Sequence, residues 1–170
     1  PDPTVKRRSG FLTPTIGRSS DLGFILGVPY FFEISPSIDL TLEPQVMTDE
    51  GWLLAGEYRQ RLTNGEIGIG GSAAYVDQFE HGEETGDKTV RGHVRGFLRY
   101  DIDDHWRTGL TIDRASDRTY LRRFRFGDRN VLESNHYVEG FFDRSYAALQ
   151  SYVFQDLRPE DSDLATPYVL

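Results

Sequence analysis

The residues of this chain best suited to bind a ligand are six arginines at odd-numbered positions. They are Arg59, Arg61, Arg91, Arg95, Arg99 and Arg107. A guanidinium group presents a planar fork of donors that matches the geometry of phosphate, so such a row could bind an anionic, phosphate-bearing molecule. Acidic residues of the same parity, Asp39, Glu43 and Glu57, could instead pair with the arginines across neighbouring strands. The sequence leaves both interpretations open and favours the pairing.

The other polar residues predict no catalytic chemistry. The four histidines are not spaced as metal ligands, and the chain has no cysteine. It also lacks a glycine-rich phosphate loop and a nucleophile elbow. Neighbouring carboxylates such as Asp103 and Asp104 fall in predicted turns, where solvated charge is the usual role. We therefore expect no enzyme activity, no cofactor and no metal, and the net charge of −8 argues against a nucleic-acid partner.

Alternation of apolar and polar residues predicts that the arginines lie on strands. In one segment Ile38, Leu40 and Leu42 alternate with Asp39 and Thr41. The same pattern predicts strands near 10–18, 21–33, 37–48, 51–63, 65–78, 88–102, 105–116, 135–143 and 145–156, with a tenth beginning near residue 165. The sequence thus predicts an all-β, antiparallel up-and-down meander, preceded by a polar and basic lead-in over residues 1–9.

The predicted connections are of two kinds. Short turns are expected at 35–37, 64–65, 103–104 and 143–144, and longer polar links at 77–88, 117–135 and 156–164. Outer-membrane barrels show this alternation, with short periplasmic turns and longer extracellular loops. If long and short links alternate along the whole chain, the links at 18–21 and 48–50 should be long. They are short, which weakens the pattern.

Composition allows a membrane barrel and excludes a membrane-spanning helix. The longest stretches without a charged residue run from Leu22 to Phe32 and from Ser145 to Gln155, well short of the roughly 20 apolar residues that a spanning helix needs. A tilted spanning strand needs only about 9 to 11 residues. No signal peptide opens the chain, so an outer-membrane location would make it a fragment of a longer precursor.

Three prolines interrupt segments that otherwise have the pattern of strands. Pro14, Pro29 and Pro44 each lack the N–H that a β-ladder requires, which confines proline to edges, strand starts and bulges. They are either ordinary edge or bulge prolines or a zone of deliberately weak strand pairing.

Four segments in order resemble a known family. They are GFLTPTIGRSSDLGF, VPYFFEISPSIDLTLEP, GEYRQRL and SDRTYLRRF. Together they resemble the barrel domain of LptD, the outer-membrane lipopolysaccharide-assembly family also called organic-solvent-tolerance proteins. The resemblance runs from about residue 7 to the closing TPYVL. It implies that residues 10–170 are the N-terminal portion of a large transmembrane β-barrel, about nine strands and incomplete.

The resemblance also implies a function and a set of partners. In that family the first and last strands form a lateral gate weakened by prolines, and Pro14 and Pro29 occupy the matching positions. The implied work is lipopolysaccharide transport through the lumen into the outer leaflet of the Gram-negative outer membrane. The implied partners are lipopolysaccharide, outer-membrane lipid, an LptE-like plug lipoprotein inside the barrel, and an LptA-like periplasmic bridge protein that docks on a domain absent from this chain.

Two other functions stay open on the residues alone. One is a generic, porin-like outer-membrane channel, complete in itself. The other is a soluble β-sandwich carbohydrate-binding module, whose surface alternation would look similar. The position of the apolar residues discriminates between them, because a sandwich buries those residues against a second sheet.

Overall fold

The computed structural model describes residues 8–80 and 83–158, with side chains for 8–76 and 88–158. Eleven strands form one antiparallel sheet. In chain order the elements are β1 (Gly10–Phe11), β2 (Thr15–Ser19), β3 (Gly23–Gly27), β4 (Tyr30–Ser35), β5 (Ile38–Met47), β6 (Gly51–Leu62), β7 (Gly65–Glu80), β8 (Glu83–Asp101), β9 (Trp106–Ala115), α1 (Tyr120–Arg123), β10 (Val131–Phe142) and β11 (Ser145–Asp156). Within these ranges no helix has the length and apolarity to cross a membrane.

The strands follow one another across the sheet as a meander. β1 pairs with β4 and β2 pairs with β3, while β3 and β4 both pair with β5. β1 and β2 together therefore occupy one strand position in the sheet, and β3 and β4 together occupy the next. From β5 to β11 every strand pairs with the next, and β1 and β11 are the two outer strands of the described sheet. The predicted all-β, antiparallel meander is confirmed, and an unclosed sheet of this kind is consistent with one part of a larger barrel.

The two faces of the sheet differ in polarity. One register row contains Asp39, Arg59, Gly68, Phe97 and Thr111, and we call the face that bears these residues the polar face. The adjacent row on the opposite side, the apolar face, contains Leu40, Tyr58, Ile69, Gly96 and Ile112. The two rows alternate because successive side chains of a strand point to opposite sides.

The apolar face is uncovered. Trp52 is 65% exposed and Leu54 is 49% exposed, although both lie near the middle strands of the sheet. Every strand in the described ranges belongs to the same sheet, so no second sheet packs against this face. A β-sandwich would have buried these side chains, and the arrangement instead fits a wall with one apolar surface.

Prolines break the first two predicted strands. The segment predicted as a strand over 10–18 is divided at Pro14 into β1 and β2, and the segment predicted over 21–33 is divided at Pro29 into β3 and β4. Each proline lacks the N–H that would continue the ladder, so the pairing stops and resumes beyond it.

Two further predicted boundaries are wrong. The polar link expected over 77–88 is largely a paired hairpin, because β7 continues to Glu80 and β8 begins at Glu83. Ladder hydrogen bonds do not require apolar side chains, so the polar composition was misleading there. β10 begins at Val131 rather than at residue 135. The predicted tenth strand and most of the last link lie outside the described residues, as does most of the lead-in.

The hydrophobic core lies on the polar face, under the connection between β9 and β10. We call residues 116–130 the strap, and α1 lies within it. At this end of the sheet the polar face changes character, because Met47, Leu53, Ala74 and Val76 replace the charged residues. The strap packs Tyr120, Leu121 and Phe124 on them. The remaining buried members are Leu22, Ile25, Leu132 and Leu157.

Candidate functional site: the polar face, its strap and the proline zone

All six predicted arginines lie on the polar face. The register places Arg59 opposite Asp39, Arg95 opposite Asp113, and Arg107 opposite Asp101. Arg61, Arg91 and Arg99 have the same parity on β6 and β8 and therefore share this face. The side chains form a single surface that runs from the short turns to the strap.

Four of the six arginines are held by carboxylates. The Nε–Oδ1 distances are 2.8 Å from Arg59 to Asp39 and 2.6 Å from Arg107 to Asp101. Arg91 Nη2 lies 2.7 Å from Asp117, and Arg95 Nε lies 3.5 Å from Asp113. Arg59, Arg95 and Arg107 thus pair across strands, as the favoured interpretation predicts, whereas Arg91 pairs with Asp117 in the connection after β9. Of the predicted partners Asp39, Glu43 and Glu57, only Asp39 makes such a cross-strand pair among the described residues.

Arg61 and Arg99 differ from the other four. Within the described part of the chain neither makes an ion pair, although Glu66 lies opposite both in the register. Both are exposed and lie near the short turn between β6 and β7. These two guanidinium groups are the ones best placed to bind an anion on the polar face.

The strap is anchored by a buried aromatic residue. Tyr120 is fully buried, and its hydroxyl lies 2.6 Å from Ser72 Oγ, which in turn lies 2.9 Å from His93 Nδ1. The ring of Phe126 lies 4.4 Å from that of His93 and stacks on Tyr120. Through these hydrogen bonds and ring contacts the strap is attached to both β7 and β8.

Ionic contacts fix the strap at three further points. Asp117 accepts hydrogen bonds from Arg91 at 2.8 and 2.7 Å. Arg123 donates to Glu50, in the turn before β6, and Arg129 lies 2.5 Å from Asp113 on β9. Burial alone would raise the pKa of Asp117, but the hydrogen bonds from Arg91 and its neighbours outweigh burial and hold that pKa well below its ordinary range.

Replacing Asp117 with asparagine is expected to loosen the strap. The hydrogen bonds it accepts from a charged partner contribute about 1.5–3 kcal/mol, so strap amides should exchange roughly 10- to 150-fold faster in hydrogen-exchange measurements. Because the folded pKa is depressed, the carboxylate stabilises the strap throughout the neutral range, and the contribution is lost as the pH falls through that low pKa. Asp128→Asn is the control, since Asp128 is highly exposed where it contacts Arg122. Equal exchange in the two variants would contradict the anchoring role.

The three prolines lie side by side in the sheet. Beyond the pair Phe11 and Tyr30, the chain places residues 12–14 opposite residues 28–29 before pairing resumes at Thr15 and Gly27. The Leu12 N–H donates to the Pro29 carbonyl at 2.9 Å, and the Val28 N–H donates to the Pro44 carbonyl at 3.1 Å. Proline has no N–H to donate in return. We call this interruption across the first three strand positions the proline zone.

Glu43, the residue before Pro44, places its carboxylate next to the proline zone. Glu43 Oε1 is buried and has no hydrogen-bond partner. It lies close over Gly27, where a Cβ atom would come within 2.5 Å of it. The sequence predicts for Glu43 a cross-strand pair with an arginine, and the structure shows no such pair for this oxygen. Its unusual position depends on the proline-interrupted register, which alternation alone does not predict.

Two family models match consecutive parts of the chain. The model described as LptD protein matches residues 1–78, and the model described as LPS transport system D matches residues 89–170. The chain belongs to the LptD family. Members of that family named LPS-assembly protein LptD align over most of the chain. The Bordetella pertussis protein is 31% identical over 96% of the chain, and the Pseudomonas syringae pv. tomato protein is 38% identical over 69% of it.

The chain corresponds to a small part of these LptD relatives. It spans 20% of the length of the Bordetella protein and 13% of the Pseudomonas syringae pv. tomato protein. The LptD protein of Pseudomonas aeruginosa is 35% identical over 69% of the chain and is covered to 13% of its own length. The family resemblance stated on four sequence segments is thereby confirmed.

Proposed function

We propose that this chain is the N-terminal portion of a transmembrane barrel that transports lipopolysaccharide to the outer leaflet of the outer membrane. In this proposal residues 1–9 would be an entry segment and residues 10–170 would belong to the first part of the barrel. The observation that carries the proposal is the membership of the LptD family, whose relatives are named LPS-assembly proteins. The uncovered apolar face supports it, because a lipid-facing barrel wall has this character. No catalysis and no cofactor are part of the proposed function.

The polar face would line the lumen. Arg59, Arg91, Arg95 and Arg107 are paired and would give that wall a fixed distribution of charge. Arg61 and Arg99 would be available to the phosphates of a passing lipopolysaccharide. An LptE-like plug lipoprotein would occupy the lumen, and an LptA-like bridge protein would deliver lipopolysaccharide through a domain outside this chain.

The proline zone would form one side of a lateral gate. Each missing N–H removes a ladder hydrogen bond, and a bond of this kind has a net value of about 0.5–1.5 kcal/mol. Pro14 and Pro29 therefore lower the cost of parting the first strands by about 1–3 kcal/mol. The strands beyond β5 keep their ladders and would stay closed. Acyl chains would leave through the opened gate while the sugars stay in the lumen.

Replacing both Pro14 and Pro29 with alanine in the full-length protein should slow export. Restored donors would make gate opening rarer by roughly 5- to 150-fold, and surface lipopolysaccharide would fall where opening limits the rate. Surface lipopolysaccharide is measured in cells depleted of the wild-type protein. Pro36→Ala is the control, because Pro36 lies in the turn between β4 and β5 and outside the proline zone. Unchanged export in the double variant would remove the gate from the proposal while leaving transport itself in place.

A further inference from the structure

The strap is a basic segment in an acidic chain. It contains five arginines and two aspartates, a net charge of +3, whereas the whole chain has a net charge of −8. Two of these arginines contact carboxylates of the sheet region, Arg123 on Glu50 and Arg129 on Asp113. The other three are exposed, and we call them the outer arginines: Arg118, Arg122 and Arg125.

The outer arginines lie on the side of the strap that is turned away from the sheet. Arg118 and Arg122 are four residues apart, a spacing that places both on one side of a helical turn. Leu121 and Phe124 are buried on the other side of that turn. Arg125 follows directly and stands between two rings that pack inward, since Phe126 contacts the His93 ring on β8. The outer arginines therefore border the space in front of the polar face.

Arg125 has a backbone conformation that disfavours arginine. Its φ is +62°, and no other non-glycine residue in the described ranges has a positive φ. A left-handed residue just after a helix is usually glycine, because a Cβ atom is strained there. The guanidinium of Arg125 makes no ion pair within the described part of the chain that would compensate for this strain. An arginine kept in a strained position without a partner in the fold points to a ligand.

We infer that the outer arginines bind a phosphate group of the transported glycolipid, with Arg125 as the main contact. A guanidinium fork matches the oxygens of a phosphate, and the hydrogen bonds between them are charge-assisted. Arg122 can contribute, because its partner Asp128 is 87% exposed and such an exposed pair is weak. The buried Tyr120 fixes the strap beneath them, so binding would require little ordering of the backbone.

This inference rests on the proposed transport function and gives it a second cationic site. Arg61 and Arg99 lie near the short turns, and the strap lies at the other end of the polar face. A phosphate that passes along this face would meet arginines at both ends. An acyl chain gains nothing from exposed charges, and a metal cation would be repelled by them. Carboxylates of a partner protein would match the arginines too, and the experiment separates them from phosphate.

The test compares one lipid with and without its phosphates. The full-length protein, purified with its native partners in detergent, is titrated with rough-type lipopolysaccharide and with the same lipid after chemical dephosphorylation. Arg125→Gly should bind the phosphorylated lipid about tenfold more weakly, because charge-assisted hydrogen bonds are lost, and should bind the dephosphorylated lipid like the wild type. Displacement of the phosphorylated lipid by an equal concentration of inorganic phosphate would overturn the assignment to a lipid-borne group.

Arg144→Gly is the matched control. Arg144 is exposed in the short turn between β10 and β11, so the variant loses the same charge away from the strap and should bind both lipids like the wild type. Equal affinity of the two variants for the phosphorylated lipid would refute the site while wild-type binding keeps the transport function standing. Equal weakening of both lipids by Arg125→Gly would refute a phosphate-specific role. If the wild type binds neither lipid, the proposed function fails and the site with it.

Hydrogen exchange separates binding from folding. Glycine adopts the left-handed conformation freely, so the amides of residues 116–130 should exchange no faster in Arg125→Gly than in the wild type. Faster exchange in that variant would show that the arginine supports the strap, and it would overturn its role as a ligand contact.

Discussion

Replacing Tyr120 with alanine is expected to release the strap from the polar face. Tyr120 is completely buried, and its ring lies among Leu121, Phe124 and Phe126 while its hydroxyl bonds Ser72. Removing a buried aromatic side chain costs about 3–5 kcal/mol, most of it through the lost contacts and the cavity left behind. The strap has no other fully buried aromatic anchor, because Phe124 is 7% exposed and Phe126 more so.

The measurement is hydrogen exchange over residues 116–130 in the full-length protein. Tyr120→Phe separates the two contributions of the side chain, since it keeps the ring and removes only a hydrogen bond with a net value of about 0.5–1.5 kcal/mol. Tyr146→Ala is the control for the loss of an aromatic ring, because Tyr146 is 58% exposed on the edge strand β11. Strap protection in Tyr120→Ala equal to that in Tyr146→Ala would show that the ionic contacts alone hold the strap.

The sequence predicts the sheet well wherever the two faces differ. Along β8, for example, Arg91, Arg95 and Arg99 alternate with Val94 and apolar neighbours, and the register places them as the alternation requires. A slip of one residue would turn every arginine to the apolar face, so the pattern fixes both the strand and its orientation. A short turn after β6 follows from the residues too, but the structure places it at Thr63 and Asn64, one residue before the predicted Asn64 and Gly65, because Leu62 pairs with Gly65.

The strap could not be predicted from the same signal. Its anchoring residues, Tyr120, Leu121 and Phe124, stand among arginines in a segment without strand periodicity. Their partners Leu53 and Val76 are apolar residues at positions where alternation predicts polar ones, and that exception was the available clue. Only the fold brings the two groups together, because they are distant in sequence.

The proline zone was visible in part. The sequence places Pro14, Pro29 and Pro44 inside strand-like segments, which predicts interruptions. The prolines lie side by side because the three residues 12–14 lie opposite the two residues 28–29. Such an extra residue on one strand is a β-bulge, and it changes the register locally. The buried oxygen of Glu43 follows from that local register, so it could not be inferred before the structure.

Ile112→Arg is expected to prevent stable insertion of the protein into the outer membrane. Ile112 lies on the apolar face, in the register row that contains Ile69 and Gly96. On a lipid-facing barrel wall an arginine costs about 2–4 kcal/mol near the bilayer midplane, because its charge must leave water. The amount of folded protein in the outer membrane should fall sharply, measured by fractionation of cells that express the full-length variant.

Thr111→Arg supplies the control at the adjacent position of the same strand. Thr111 is exposed on the polar face, opposite Phe97, so the same charge would stay in water and the variant should accumulate like the wild type. The comparison isolates the side of the sheet, since strand, depth and added side chain are matched. Equal accumulation of the two variants would mean that the apolar face does not contact hydrocarbon. The uncovered Trp52 and Leu54 would then require a protein partner, because a surface of that size is not left in water.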